Sequence, residues 1–213
     1  MASVQSAADA GELRKAEQTR QRILAAAART FLQKGYAATR LSDIARAANM
    51  QAGSIYYHFE SKEQIMAAVL DIGIRGVMEA VRDDVEALGP SASWRERIRT
   101  AIAAHLRLLL RQGDFTAADI RNYGQLPDQL QERHLQARTE YGEFWRKLLV
   151  DARDAGELRP DANLSLVRML VLGALNWSLE WYDPTKLPTD RVADELWRML
   201  FEGLDPPDAG QAS

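Results

Sequence analysis

Apolar residues along this chain recur at helical spacing from residue 19 to residue 203, and no run of alternating apolar and polar positions reads as a strand. Ile23, Ala27 and Phe31 make one stripe, and Gly35 follows where a helix-terminating glycine is expected. Leu41, Ile44, Ala45 and Ala48 make a second stripe about two turns long. Asn49-Met50-Gln51 breaks that pattern, and a short helix from Ala52 to His58 follows, anchored by Ile55 and Phe59. Ser61-Lys62-Glu63-Gln64 has the form of a capping box and opens a helix that runs to about Leu88. Helices are then expected from Trp94 to Arg111, from Thr116 to Tyr123, from Pro127 to before Gly156, from about Asn163 to Tyr182 and from about Thr189 to Gly203. The pattern predicts an all-α fold of about nine helices.

The organisation follows from these breaks. Residues 1–16 lack periodicity and are expected to be a flexible N-terminal arm, with Thr19 as the first N-cap. Residues 17–64 form a helix-turn-helix head, residues 65–204 a helical effector-binding and dimerisation body, and residues 205–213 a disordered tail.

Composition narrows the function. The 213 residues are 46% hydrophobic and include no cysteine, so disulfide frameworks and thiolate metal sites are excluded. The cysteine-free composition fits a reducing cytoplasm, and no run of about 18 apolar residues suits a membrane span. The formal net charge is −3, but residues 1–70 hold nine Lys/Arg against six Asp/Glu, about +3, leaving about −6 for the rest. A basic head on an acidic body suits a protein that presents one face to phosphate.

Two short helices joined by a tight turn make the helix-turn-helix plan, in which the second helix enters the DNA major groove. Gln51, Ala52, Gly53 and Ser54 are small or polar and let a backbone approach base edges, and Gln pairs bidentately with adenine. Tyr56, Tyr57 and His58 have polar tips for phosphate oxygen, and Thr39 and Arg40 stand at a helix N-terminus suited to the same anion. The alternative is an ordinary helical hairpin in an all-α core.

The string from Ile23 to Leu70 resembles the DNA-binding domain of the TetR family of bacterial transcriptional regulators. The resemblance rests on Phe31, Gly35-Tyr36, Thr39, Asp43-Ile44-Ala45, Gly53, Ile55-Tyr56, His58-Phe59 and Lys62. It implies DNA contacts from Thr39, Arg40, Gln51, Ala52, Gly53, Ser54, Tyr56, Tyr57, His58 and Lys62. It implies double-stranded DNA as a partner, a two-fold homodimer, and an effector that shifts the helix beginning at Ser61. Residues 164–182 are apolar on nearly all sides and the last helix is apolar more widely than one core face needs, so Val167, Val171, Leu175, Leu196 and Leu200 are expected at the dimer interface, with a thick core in a monomer as the alternative. Gly173 to Pro184 is similar to a segment in TetR-type regulators of lipid and steroid breakdown, some of which sense acyl-CoA thioesters.

His105, Arg121, Tyr123, Tyr141, Trp145, Arg168, Asn176, Trp177 and Trp181 are the candidates for binding an apolar or acyl-CoA-type effector, each with core or interface packing as its alternative. No P-loop, GxGxxG, HExxH or nucleophile-elbow motif occurs, so neither a cofactor, a metal nor an enzymatic activity is expected. The reading is a ligand-responsive repressor. Its rivals are an architectural DNA-binding protein without an effector and a helical enzyme or carrier.

Overall fold

The computed structural model describes residues 2–202. Nine α-helices and no strand occur among them: α1 (Ala2–Lys34), α2 (Leu41–Ala47), α3 (Ala52–Ile55), α4 (Lys62–Ala87), α5 (Trp94–Arg107), α6 (Asp114–Asn122), α7 (Asp128–Asp154), α8 (Leu164–Trp181) and α9 (Thr189–Phe201). A π-helical turn, Leu108–Gln112, follows α5, so the helix expected to reach Arg111 changes its winding at Leu108. A 3₁₀ turn, Tyr123–Gln125, follows α6.

The sequence signals for starts and stops act where expected. Gly35 takes φ +78° and ends α1, and Asn49 takes φ 59° between α2 and α3, a conformation that Asn tolerates better than most residues. Ser61 accepts a hydrogen bond from the Gln64 N–H at 3.2 Å, while Gln64 Oε1 accepts from the Glu60 N–H at 2.7 Å. Ser93 and Glu96 close a reciprocal capping box on α5, and Asn163 Oδ1 caps α8 through the Leu166 N–H at 3.1 Å.

Two expectations are corrected. The stretch expected as a flexible arm is helical from Ala2, because it holds alanines and good helix formers and no proline. Thr19 is therefore not an N-cap. It lies inside α1, and its hydroxyl donates back to the Lys15 carbonyl at 2.9 Å. The expected tail at 205–213 lies outside the described residues.

The helices gather into two units. The first joins the chain up to Gly76 with Gly113–Arg138, and the second joins Val77–Gln112 with the chain from Thr139. Residues 113–138, which the pattern assigned to the body, thus pack with the head. The core of the first unit explains this: Ile23, Phe31, Ile44, Ile55, Phe59, Ile65 and Val69 are buried together with Ala118, Leu126 and Leu130. One face of α1 with the short α2 and α3 buries too little apolar surface to stand alone, and α6 with the start of α7 completes the core. At Gly73 the α4 backbone comes so close to α6 that an added Cβ would stand 2.7 Å from the Phe115 carbonyl oxygen. Thr116 Oγ1 donates to the Gly73 carbonyl there at 3.1 Å. In the second unit Ile98, Ile102 and Leu106 of α5 are buried, as are Trp145 and Leu149 of α7, Leu175 of α8 and Ala193 of α9.

Candidate nucleic-acid interface and effector site

Helix α3 is short, and its outward face is set by what it buries. Ile55 and Phe59 are fully inside, which turns Gln51, Ala52, Gly53, Tyr56 and Tyr57 to the surface. Tyr57 is 90% exposed, a strong exposure for so large a side chain. The helical hydrogen bonds continue past Ile55 as a turn, with the His58 and Phe59 N–H groups donating to the Ile55 carbonyl at 2.9 and 3.0 Å. Gln51 is the N-cap but makes no side-chain capping bond, so its amide is left for an external partner. A Cβ built on Gly53 would meet nothing within 4 Å. Nothing in the fold needs a glycine there, and its lack of a side chain leaves room for a close external approach. Ser54 and His58 are half-buried at the flanks, and Arg40 is exposed at the start of α2.

Two of the candidate DNA contacts turn inward. Thr39 is buried, and its hydroxyl donates to the Gly35 carbonyl at 2.7 Å. Lys62 Nζ donates to the Tyr36 and Thr39 carbonyls at 2.9 and 3.0 Å and lies 4.3 Å from the Tyr36 ring centroid. These groups hold the loop between α1 and α2, where the uncapped carbonyls of a tight turn need donors. The Tyr36 hydroxyl donates to Glu63 Oε1 at 2.8 Å. Burial, then the Glu63 hydrogen bond and charge, raise the Tyr36 phenol above its ordinary range. On the other side of the loop, the carboxylate of Asp43 takes Lys34 Nζ at 2.9 Å and Arg46 at 3.2 Å, and the Lys34 contact leads in holding it below the usual range.

Asn122 is the residue that the pattern missed. It is 1% exposed on α6, and its Oδ1 accepts from the Tyr36 N–H at 2.7 Å. Its Nδ2 donates to the Ala118 carbonyl at 2.8 Å and the Phe31 carbonyl at 3.3 Å. A lone Asn inside a helical stripe has no sequence signal, because the partner groups come from positions 86 and 91 residues away.

The second unit brings four of the nine effector candidates together. His105 Nδ1 stands 2.8 Å from the Tyr141 hydroxyl, and the Tyr141 ring meets Trp145 edge-on with centroids 6.3 Å apart. Asn176 on α8 faces His105 from outside hydrogen-bond geometry. Nε2 of His105, Nε1 of Trp145 and Oδ1 of Asn176 are buried without a well-placed partner. Burial lowers the His105 pKa to about 4, opposed by Asn176, and burial raises the Tyr141 phenol. The cluster is therefore uncharged at neutral pH, and it offers both donors and acceptors inside an apolar surround, as small-molecule sites do.

The other five candidates lie elsewhere. Arg121 and Tyr123 belong to the first unit, where Tyr123 packs on His134 and beneath the Arg138 guanidinium, 4.0 Å from its ring centroid. Arg168 donates to the Gly142 carbonyl at 3.2 Å. Trp177 and Trp181 are on the outside of α8, 66% and 52% exposed, with Leu166, Met169 and Leu170 along the same face. That open stripe does not coincide with the five residues expected at a dimer interface. Val171 and Leu175 are buried against the chain's own core and face away from the stripe, while Val167, Leu196 and Leu200 are half-buried. Beside it Leu106, Ala174, Leu175, Trp181, Val192 and Met199 line an apolar groove of about 300 Å³. The i, i+3, i+4 phase of Leu166, Met169 and Leu170 was legible in the sequence, but an all-apolar helix does not say which face its own core takes.

Among the described residues no group of His, Cys, Asp and Glu is arranged to hold a metal ion, and no helix is long and apolar enough to cross a membrane. Residues 23–69 match the family described as bacterial regulatory proteins, tetR family, and residues 91–204 match the tetracyclin repressor-like C-terminal domain. The HTH-type transcriptional repressor KstR2 of Rhodococcus jostii is 27% identical over 200 residues, which cover 88% of this chain and 92% of that protein. The fatty acid metabolism regulator protein of Bacillus subtilis is 23% identical over 191 residues, covering 85% of this chain and 93% of its own. The crystal structure of AibR in complex with isovaleryl coenzyme A and operator DNA superposes with a TM-score of 0.78 at 25% identity, covering 86% of this chain and 98% of that one.

Proposed function

The chain belongs to the TetR family of bacterial regulatory proteins, and from that premise we propose that it is a homodimeric transcriptional repressor released from a near-palindromic operator by an acyl-CoA-type small molecule. The observation that carries the DNA-binding half is the face of α3. Gln51, Ala52, Gly53 and Tyr57 are exposed together on a helix whose opposite side is locked by Ile55 and Phe59. An uncapped Gln amide reads base edges, and Tyr57 with the exposed Arg40 reaches phosphate. Two such heads related by a two-fold axis address major grooves about 34 Å apart, so the operator is an inverted repeat.

The open α8 stripe of Leu166, Met169, Leu170 and Trp177 supports the homodimer, because an apolar surface of that extent is covered in solution. The effector reading is supported by the uncharged cluster of His105, Tyr141, Trp145 and Asn176 and by the coenzyme A thioester named with AibR. Helix α4 begins at the head's cap and runs on into the second unit, so an effector that prefers a shifted α4 weakens DNA binding. The weakening is bounded by the effector's difference in affinity for the two states, about 1–3 kcal/mol in coupled systems. In this reading the protein acts in the cytoplasm and catalyses nothing.

Selection of bound duplexes from random sequence tests the proposal. An inverted repeat should be enriched, and the selected complex should release its DNA on titration with isovaleryl-CoA or stearoyl-CoA. Recovery of no preferred sequence sinks the operator reading, and full retention of DNA with both thioesters sinks the effector reading.

A further inference from the structure

The first unit contains a second concavity that neither DNA binding nor the uncharged cluster uses. It is a half-open cleft of about 280 Å³, with Arg20 from α1, Gln64, Ala68 and Asp71 from α4, and Arg133 and His134 from α7 among its walls. Its chemistry is one-sided. The Arg20 guanidinium stacks 4.4 Å from the Phe59 ring centroid, which fixes its plane and leaves its N–H edge for another partner. Among the described residues neither Arg20 nor Arg133 is paired with a carboxylate. Gln64 spends its oxygen on the Glu60 N–H at 2.7 Å, so its amide NH₂ is what remains to offer. Asp71, the acid in the wall, lies 3.4 Å from Arg75. His134 is buried with Nε2 3.1 Å from Asp119, and Asp119 also takes Arg138 at 3.3 Å, so that carboxylate is neutralised behind the wall.

We propose that this cleft between α1, α4 and α7 binds a diphosphate group, of the kind carried by a nucleotide or by coenzyme A. Two guanidiniums on separate helices, with an amide donor on a third, suit an anion with several oxygens and more than one charge. A single carboxylate occupies one fork and leaves the other arginine unanswered. The volume lies just below the usual range for whole-ligand sites, which fits a phosphate-bearing head and not a whole cofactor. The assignment goes beyond the effector reading and stands on the geometry of the first unit alone.

The test uses the full chain without DNA, titrated calorimetrically with pyrophosphate, ADP, coenzyme A and pantetheine. Pyrophosphate, ADP and coenzyme A should bind saturably, and pantetheine, which lacks the diphosphate, should not bind at this cleft. Arg133→Glu and Arg20→Gln should each weaken the three anions by about tenfold to a hundredfold, the loss of one charge-assisted hydrogen bond, with circular dichroism and melting temperature showing an intact fold. No saturable binding of any diphosphate, or affinities unchanged in the Arg20→Gln/Arg133→Glu double variant, overturns the assignment. If coenzyme A thioesters release DNA from that double variant as from the wild type, the cleft is not their site and the effector reading survives. If pyrophosphate binds but no thioester releases DNA, the cleft stands and the effector reading falls. Binding of coenzyme A with ADP and pyrophosphate inert overturns the diphosphate as the recognised group.

Discussion

The Oδ1 atom of Asn122 accepts the backbone N–H of Tyr36 at 2.7 Å, tying the end of α6 to the loop that begins the helix-turn-helix. Removing it leaves the buried Tyr36 N–H without its acceptor, while the Phe31 carbonyl keeps only the Gly35 N–H at 2.9 Å. Asn122→Ala should cost about 1–3 kcal/mol in urea unfolding and should weaken operator binding through the loosened loop. Asn122→Asp should not restore either property, because a carboxylate would face the carbonyls of Ala118 and Phe31 that now accept from the amide.

Two glycines should respond in opposite ways. Gly73→Ala forces a methyl to 2.7 Å from the Phe115 carbonyl oxygen, a backbone atom that cannot swing aside, and should destabilise the protein by about 1–3 kcal/mol. Gly53→Ala meets nothing within 4 Å and should leave thermal stability unchanged or slightly higher. Its cost should appear in operator affinity, measured by fluorescence anisotropy. Equal melting temperatures for the two variants would contradict the close α4–α6 packing.

Base reading and phosphate contact should separate on α3. Tyr57→Phe removes one hydroxyl from a fully presented ring and should weaken the selected operator and scrambled duplex about equally. Gln51→Ala should change base preference at one position per half-site, by about 1–3 kcal/mol of discrimination. Unchanged affinity in both variants would rule out this docking face.

Burial of His105 has a signed consequence for stability. Its folded pKa of about 4 lies below the value of about 6.5 expected for an unfolded histidine. Above pH 6.5 the group is neutral in both states and costs nothing. As pH falls from 6.5 towards 4 the unfolded chain takes up the proton first, so stability drops by roughly 3 kcal/mol across that window. Urea midpoints of the wild type should fall over this range, and His105→Gln should remove that part of the slope while keeping a polar group near Tyr141. Parallel curves for the two proteins would show that His105 is not held neutral.

Substitutions on α8 should sort by face. Leu170→Glu and Trp177→Glu place charge on the open stripe and should yield monomers in sedimentation at micromolar concentration, with helicity retained. Leu175→Ala empties a fully buried position and should cost about 2–5 kcal/mol of stability instead.

Local chemistry determined much of this protein by sequence alone. Helical spacing, the turn at Gly35, the left-handed Asn49 and the caps at Ser61, Ser93 and Asn163 each act within a few residues, so the helix order and the family are legible in the sequence. The outward face of α3 was legible for the same reason, because Ile55 and Phe59 mark its inside four residues apart. What only the tertiary structure decided depends on partners distant in sequence. Thr39 and Lys62 carry phosphate-binding side chains, yet the carbonyls of a tight loop claim them first. His105, Tyr141 and Asn176 come from three helices, and Asn122 meets Tyr36 across 86 positions. Val171 and Leu166 are equally apolar, but one packs on the chain's own core and the other is left open. Periodicity states that a residue can be buried, and only the packing of the whole chain states against what.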